Sequence, residues 1–466
     1  MKMKTNAILA ACATLALGAA SPLAAATDYA WSANAADPDN ILTNEVHFTP
    51  ALADIPHADA IKLTASSDMT VRMPSGSDYS APFGLKFYVN SGHALALDFA
   101  DATLSQPNTT ADAPYAQDGR FNLGLGANAL QYAWPGTGKN LNGAFRIENG
   151  LMTITNNVGR LDSIDFWRGT WDFLAPNSTT NAGGYLYIAA GWPETGVFNM
   201  NFHSGSTLRA PIFFVYASAK TNSINFLGGS HFISAFQMRK HNSAADSYAR
   251  TRVNVLGSNT CLELGSFSSE STITYQGYRV YVGDGAMLKS GDISSPTNDW
   301  HDFVFDGANF TAPKKFSWVN MSVFATNSTF TTAQPLLKTG RMELNNTKWA
   351  CSSSFIAGHG AGNTVVRMNG GEIEAAEDFI AGYVAGSDAT FELLDGDVAT
   401  KGTVYVGNEL RSMGRLRVSG GSFAAKANFV IGNAGAGEVE VSGGRVSTPQ
   451  TALRVERFRH GHDERA

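Results

Sequence analysis

A repeat between residues 364 and 446 constrains the fold of this chain more than any other feature. Four segments share one pattern, an alternating strand followed by a small or polar turn and one apolar residue: TVVRMNGGEI, TFELLDGDV, RLRVSGGSF and EVEVSGGRV. The apolar residues that close them, Ile373, Val398, Phe423 and Val446, recur at a nearly constant interval. A short unit that recurs in this way is typical of a solenoid.

A second short strand lies midway in each unit and ends on glycine. The segments FIAG, VYVG and FVIG end on Gly382, Gly407 and Gly432, which recur at the same interval. Glycine suits a corner where the backbone needs a positive φ or leaves no room for a Cβ atom. One such coil buries too little apolar surface to offset the conformational entropy lost on folding, so the units must stack. The pattern therefore predicts an all-β solenoid with one coil per repeat.

Composition agrees with an all-β chain. Charged residues make up 16% of the 466 residues, below the usual share of about a quarter. The net charge of −6 argues against nucleic acid as a partner, because nucleic-acid binding needs a clustered basic surface. After the N-terminal segment, no run reaches the roughly 18 apolar residues of a membrane helix. We therefore expect no transmembrane segment in the mature chain.

The N-terminal segment, residues 1–26, has the pattern of a secretory signal peptide. Lys2 and Lys4 form a charged start, residues 7–20 are apolar, and three alanines at 24–26 form a small-residue cleavage site. A lipoprotein signal that ends at Cys12 is the less favoured alternative. Either signal predicts export, so the mature protein is expected to be secreted or held at the cell surface.

The rest of the chain divides into four parts. Residues 27–150 show strand candidates without a period and are predicted to form an N-terminal cap or irregular early coils, although a separate small β-domain stays open. Residues 151–340 repeat the strand and turn pattern with looser spacing and carry loop insertions. Residues 341–456 hold the regular repeats of 23–26 residues. Residues 457–466 form a charged tail, either a polar shield over the open end of the solenoid or the mark of a truncated or frame-shifted chain, which the break within a repeat favours.

Two cysteines, Cys261 and Cys351, remain after the signal peptide is removed. They could form one disulfide in an oxidising compartment. Because the stretch of solenoid between them would place them several coils apart, we expect two separate buried thiols instead. Their spacing, like that of the histidines, matches no metal site, and no cofactor is expected.

The segment RLRVSGGSFAAKANFVIGNAGAGEVEVSGGRVS resembles the glycine-punctuated repeats of bacterial secreted β-helix proteins, particularly autotransporter-passenger and adhesin-like proteins. The resemblance covers residues 342–455. It implies a right-handed parallel β-helix, export and a role at the cell surface. It carries over no catalytic residue.

Some parallel β-helices are enzymes that cleave acidic polysaccharides, and parts of their site patterns occur in this sequence. Gly358-His359-Gly360 matches one element of the polygalacturonase-like pattern, but the other three elements are absent and the repeat already accounts for Gly358. A calcium site of the pectate-lyase kind needs clustered carboxylates, and the nearest concentration is Asp299, Asp302 and Asp306. We expect the first two on a loop and Asp306 at a corner equivalent to that of Asp395, all as solvated turn residues.

Aromatic residues around the first large insertion are the strongest candidates for a binding site. Trp167, Trp171 and Trp192 could form a stacking platform for sugars, with Arg168 and Asp172 as polar contacts. The alternative, which buried aromatic residues make more common, is that these rings fill the core of an irregular coil.

The sequence thus favours an exported structural or adhesin-like protein that presents loops to a polysaccharide or another cell-surface component. The alternative is a polysaccharide lyase or glycoside hydrolase with its site on the insertions between residues 165 and 305. Converging carboxylates in a groove would favour the enzyme, whereas a surface of hydroxyls, amides and aromatic rings would favour binding.

Overall fold

A computed structural model shows a stack of parallel β-strands. The structure describes residues 197–216, 221–239, 250–269, 278–294 and 301–453 and, before residue 197, the backbone of separate strands. The predicted signal peptide at 1–26 and the tail at 457–466 lie outside the described residues. Within the described part of the chain, no helix is long and apolar enough to cross a membrane.

The strands before residue 197 are β1 (Tyr29–Trp31), β2 (Phe48–Thr49), β3 (Ala60–Ala65), β4 (Met69–Arg72), β5 (Asp78–Ser80), β6 (Gly84–Val89), β7 (Ala94–Asp98), β8 (Thr103–Ser105), β9 (Tyr115–Ala116), β10 (Gly119–Gly124), β11 (Ala129–Ala133), β12 (Leu141–Glu148), β13 (Leu151–Thr155), β14 (Ile164–Phe173), β15 (Thr179–Ala182) and β16 (Tyr185–Ala189). Those that follow are β17 (Val197–Phe202), β18 (Thr207–Tyr216), β19 (Thr221–Phe226), β20 (Gly229–Arg239), β21 (Arg250–Leu256), β22 (Thr260–Ser269), β23 (Tyr278–Gly283), β24 (Met287–Ser294), β25 (His301–Asp306), β26 (Asn309–Thr326), β27 (Thr329–Cys351), β28 (Phe355–Ala357), β29 (Gly362–Ala375), β30 (Phe379–Ala381), β31 (Ser387–Thr400), β32 (Val404–Val406), β33 (Met413–Val418), β34 (Ser422–Ala425), β35 (Asn428–Ile431), β36 (Ala436–Val441), β37 (Arg445–Ser447) and β38 (Gln450–Leu453).

Each turn of the chain, which we call a rung, pairs in parallel with the rungs below and above it. One stack runs from β17 through β19, β21, β23, β25 and onward to β33 and β36. Another runs through β18, β20, β22 and β24 into the long strands β26 and β27, which bend and contribute to more than one face. The prediction of an all-β parallel solenoid is confirmed. The right-handedness expected from the resemblance stays a prediction.

The repeat residues of the sequence form one column, as the spacing requires. Ile373 pairs with Val398, Val398 with Phe423, and Phe423 with Val446. The first three side chains are buried, and Val446 packs half-buried against the same core. Alternation of side chains along each strand puts these residues inside and their neighbours outside. The column shows that each rung buries its apolar residues against an equivalent rung.

The glycine that ends each second strand occupies a corner with a positive φ. The angle is +82° at Gly358, +79° at Gly382 and Gly407, and +70° at Gly432. A Cβ atom at Gly407 would lie 2.1 Å from the carbonyl oxygen of Ala436 in the next rung. The repeat therefore explains Gly358, and its presence beside His359 needs no catalytic account.

Strands of the 27–150 segment already belong to the parallel stack. β4 pairs with β7, β7 with β10 and β10 with β12, which in turn pairs with β14. Other strands there form a five-stranded sheet of β2, β1, β3, β6 and β9, and a two-stranded sheet of β5 and β8. The division of the chain into a cap or early coils, irregular coils, regular repeats and tail stays a prediction.

Both cysteines and two of the three aspartates lie within the described residues. Cys261 and Cys351 are both free thiols, as predicted, and Cys351 is buried. The expectation that Cys261 is also buried is wrong, because its side chain is only half-buried. Asp306 lies in the corner column that reaches Asp395, also as predicted. The expectation that Asp302 lies on a loop is wrong, because it lies in β25. Its Oδ2 atom forms a salt bridge of 2.8 Å with Nη2 of Arg279. Asp299 lies outside the described residues.

Candidate binding groove

One line of outward side chains crosses six rungs on the face formed by β18, β20, β22, β24, β26 and β27. Strand register aligns its members, which we call the outer column: Arg209, Phe232, Glu263, Lys289, Thr311 and Thr331. Each stands between inward residues of its own strand, as Glu263 does between the buried Leu262 and Leu264. Alternation along the strands therefore presents this line to solvent.

Beside the outer column the strands bend, and the bend forms an open groove of about 650 Å³. The groove crosses five rungs at residues 263–265, 289–291, 311–314, 331–333 and 350–352. With about 4.8 Å between neighbouring strands, five rungs span roughly 19 Å. That length suits an extended chain molecule better than a compact metabolite.

Small residues keep the groove open. A Cβ atom at Gly265 would lie 2.4 Å from the carbonyl oxygen of Ser234, and one at Gly291 would lie 2.1 Å from the carbonyl oxygen of Gly265. Only glycine permits the backbones to approach this closely at the bend. Ala333 and the exposed Ala350 continue the line of small side chains in later rungs. The concavity is therefore built from the absence of large side chains over successive rungs.

The polar groups of the groove are one carboxylate, two ammonium groups and several hydroxyls. Lys289 Nζ lies 4.0 Å from Glu263 Oε2, and both side chains are about half exposed. A pair in that environment contributes no more than about 1 kcal/mol, so both groups can exchange partners with a ligand at little cost. Lys314, also exposed, lies on the same lining, with Thr311, Thr331 and Ser352.

An exposed aromatic ring lies in the rung that precedes the groove. Phe232 is 40% exposed and is aligned with Glu263 in the next rung. An exposed ring offers an apolar face of the kind on which a sugar ring stacks. By strand register this ring lies one rung before the residues that line the groove.

The groove is supported from inside by a chain of hydrogen bonds. Trp349 Nε1 donates to Thr332 Oγ1 at 2.9 Å, and the Thr332 hydroxyl donates to Cys351 Sγ at 3.6 Å. All three side chains are buried. Burial raises the pKa of the Cys351 thiol to about 12, which keeps it protonated and unreactive at neutral pH.

The half-buried Cys261 beside the groove is also held as a thiol. Burial is the main cause that raises its pKa, with a lowering effect from Lys289 and a raising effect from Glu263. Because the thiolate is the nucleophile, neither cysteine is prepared for covalent chemistry.

The structure locates most of the residues predicted from the sequence as a sugar platform. Trp167, Arg168, Trp171 and Asp172 all lie in β14, where the backbone of Trp171 is aligned with Phe145 of β12 and with Met200 of β17. Trp192 lies outside the described residues. A binding role for these five residues stays a prediction.

The outer column was missed by sequence reasoning, although a signal for it exists. Each of four segments comes after a turn and contains one outward residue flanked by two inward residues: SHFIS, TCLEL, AMLKS and ANFTA. Aligning them on the preceding glycine turns, rather than on a fixed period, would have gathered Phe232, Lys289 and Thr311, which each follow a glycine by four residues. Glu263 follows Gly257 by six residues and would still have been missed.

Metal binding has no support in the part of the chain that the structure describes. No group of three or more His, Cys, Asp or Glu side chains there could hold a metal ion. His231 is enclosed in the core and His359 stacks on Tyr383 with ring centroids 5.2 Å apart.

Comparison with known proteins found no relative of this chain. No protein family, no curated protein and no solved structure matches this chain.

Proposed function

We propose that this chain is an exported, adhesin-like β-solenoid that binds an extended polysaccharide along the groove beside the outer column. The observation that carries the proposal is the open groove of about 650 Å³, which crosses five rungs. The exposed ring of Phe232 is aligned one rung before its lining. Sites of this kind combine apolar surface with a few polar groups that fix orientation. Here Glu263, Lys289 and the threonine hydroxyls supply those groups.

The chemistry of the lining supports binding over cleavage at this groove. Hydrolysis of a glycosidic bond uses two carboxyl groups placed on either side of it. Glu263 is the one carboxylate among the residues that line the groove as the structure describes it. The enzyme alternative remains a separate hypothesis for the insertions between 165 and 305.

Export and surface location belong to the same proposal. They are supported by the signal-like residues 1–26 and by the resemblance of residues 342–455 to secreted bacterial β-helix repeats. A solenoid of stacked rungs also suits a surface role, because it presents one long face to a repeating partner.

A panel of neutral and acidic polysaccharides, assayed for retention and for release of reducing or unsaturated ends, tests the proposal. Phe232→Ala is expected to weaken retention about tenfold, which corresponds to about 1.4 kcal/mol of stacking. Ala350→Trp should abolish retention because the indole would fill the groove. Leu410→Ala is the matched control, since Leu410 is 56% exposed and lies outside the groove.

Retention that is equal in the wild type and in all three variants would place binding elsewhere. Release of chain ends would replace the adhesin proposal with the enzyme alternative. Thermal unfolding of each variant checks that the fold is retained.

A further inference from the structure

The charges that line the groove change along its length. Glu263 lies in the first of its five rungs, Lys289 in the second and Lys314 in the third. The fourth and fifth rungs contribute hydroxyls and small side chains to the described lining, but no acidic or basic group. The two ammonium groups thus belong to consecutive rungs, whose strands are about 4.8 Å apart. The lining carries two positive charges and one negative charge, on a chain whose net charge is −6.

Neither ammonium group is held in a strong ion pair. Lys314 is exposed and has no ion pair among the residues that the structure describes. Lys289 Nζ lies 4.0 Å from Glu263 Oε2, and both side chains are about half exposed, so that pair is weak. An anionic ligand is therefore attracted to both ammonium groups without first breaking a strong contact.

One further carboxylate lies close in sequence to the lining. Asp292 follows Gly291 but does not line the groove, and its Oδ1 atom accepts a hydrogen bond from the backbone N–H of Ser317 at 2.8 Å. A cleft with low-dielectric walls focuses the field of the charges that line it, so the lining matters more to a ligand than the net charge of the chain. Glu263 is then the described lining group that repels an anion.

We propose, on the basis of the polysaccharide-binding function proposed above, that the groove takes an acidic polysaccharide whose carboxylate or sulfate groups contact Lys289 and Lys314. An acidic polysaccharide repeats its charged groups along an extended chain. A ligand that crosses the rungs therefore brings successive anions to successive rungs. Thr331 and Ser352 offer hydroxyls to its uncharged groups, and Glu263 opposes its binding from the first rung.

Matched pairs of polysaccharides test the proposal on the full chain: polygalacturonate and its methyl ester, alginate and its propylene glycol ester, and dextran sulfate and dextran. In at least one pair, the wild type should bind the acidic member at least about fivefold more tightly than the neutral member. The affinity for the acidic member should fall as the salt concentration rises, because salt screens exposed charges. The first two pairs report on carboxylates and the third on sulfates.

Variants separate contacts in the groove from a general attraction between charges. Lys289→Met and Lys314→Met should each weaken binding of the acidic member about threefold and leave binding of the neutral member unchanged. Glu263→Gln should strengthen binding of the acidic member about twofold, because it removes the repelling charge and frees Lys289. Lys426→Met and Glu374→Gln make the same changes at exposed residues outside the groove and should bind as the wild type does. Thermal unfolding of each variant checks that the fold is retained.

Three results would overturn the proposal. Equal affinity for both members of every retained pair would leave the groove as a site for a neutral polysaccharide. Losses in Lys289→Met and Lys314→Met no greater than in Lys426→Met would show that the anion is bound elsewhere. Retention of no polysaccharide at all would overturn the polysaccharide-binding function as well.

Discussion

His231 Nδ1 accepts a hydrogen bond from the backbone N–H of Leu208 at 3.1 Å, inside the core of the solenoid. The imidazole must therefore carry its proton on Nε2, which donates to the carbonyl oxygen of Gly228 at 2.7 Å. The rings of Phe202 and Phe226 pack against it. Both ring nitrogens are satisfied only when the imidazole is neutral, and burial lowers its pKa to about 4.

This arrangement predicts that acid destabilises the fold through His231. Between its ordinary pKa of about 6.5 and its folded pKa of about 4, the unfolded chain binds a proton that the native state does not. The free energy of unfolding should therefore fall as the pH drops through this window, by roughly 2–3 kcal/mol between pH 7.5 and 4.5. Urea denaturation at both values measures the change. His231→Leu should be less stable at pH 7.5 but lose this part of the pH dependence; an unchanged dependence would contradict the assignment.

Thr332 is predicted to be essential to the support beneath the groove. Replacing it with valine keeps the shape but leaves the buried indole N–H of Trp349 without its acceptor. The free energy of unfolding should fall by about 1–3 kcal/mol. Thr331→Val makes the same change at the exposed neighbour and is expected to cost less than about 0.5 kcal/mol. Equal effects of the two substitutions in denaturation experiments would show that the buried hydrogen bond contributes nothing.

Glycine at a corner can be required by a positive φ or by the lack of room for a Cβ atom. Comparison of Gly407 with Gly307 distinguishes these two requirements. Both have a positive φ, +79° and +59°, but a Cβ atom at Gly307 would meet nothing within 4 Å. Gly307→Ala should therefore cost only the backbone strain, about 1 kcal/mol. Gly407→Ala should cost at least about 2 kcal/mol more, because its Cβ would overlap the carbonyl oxygen of Ala436. Thermal unfolding midpoints that shift equally would mean that the rungs approach less closely than we find.

Outward charges alternate in sign across consecutive rungs at Glu392, Arg417 and Glu440, which are aligned by strand register. This alternation predicts a salt-dependent effect of Arg417→Glu on stability. The variant aligns three carboxylates, those of Glu392, residue 417 and Glu440, in consecutive rungs. Because Arg417 is 47% exposed, the cost should be modest, roughly 1 kcal/mol, and should shrink at high salt. Lys426→Glu makes the same charge change at an exposed residue outside the column. If the two variants show the same stability and the same salt dependence, the alternation has no role in register.

The regular half of the fold was predictable because its step is nearly constant. Ile373, Val398 and Phe423 recur at one fixed interval, so the period alone aligns them in the column that the structure contains. The same constant interval aligns the corner glycines, Gly382, Gly407 and Gly432, which all have a positive φ. A local pattern sufficed here because every rung is almost the same length.

The groove was not predictable in this way because its rungs differ in length. In the equivalent inward column, the sequence interval shortens at each step from His231 to Leu262, then to Leu288 and then to Phe310. Insertions at the corners hide the register of the strands they connect. The same reason explains Asp302, because its partner Arg279 lies in the preceding rung and is recognised only once the strands are aligned.

The fold and the groove both depend on parallel rungs in the stated register, and an engineered disulfide tests this most directly. Thr311 is aligned with Thr331 one rung away, and Lys289 with Thr331 two rungs away. Adjacent rungs place Cα atoms about 4.8 Å apart, within disulfide reach, whereas two rungs exceed the limit of about 7 Å. Mass spectrometry of the oxidised, digested protein should therefore show a bond in Thr311→Cys/Thr331→Cys and none between the new cysteines of Lys289→Cys/Thr331→Cys. A bond in the second variant and none in the first would contradict the stacked solenoid.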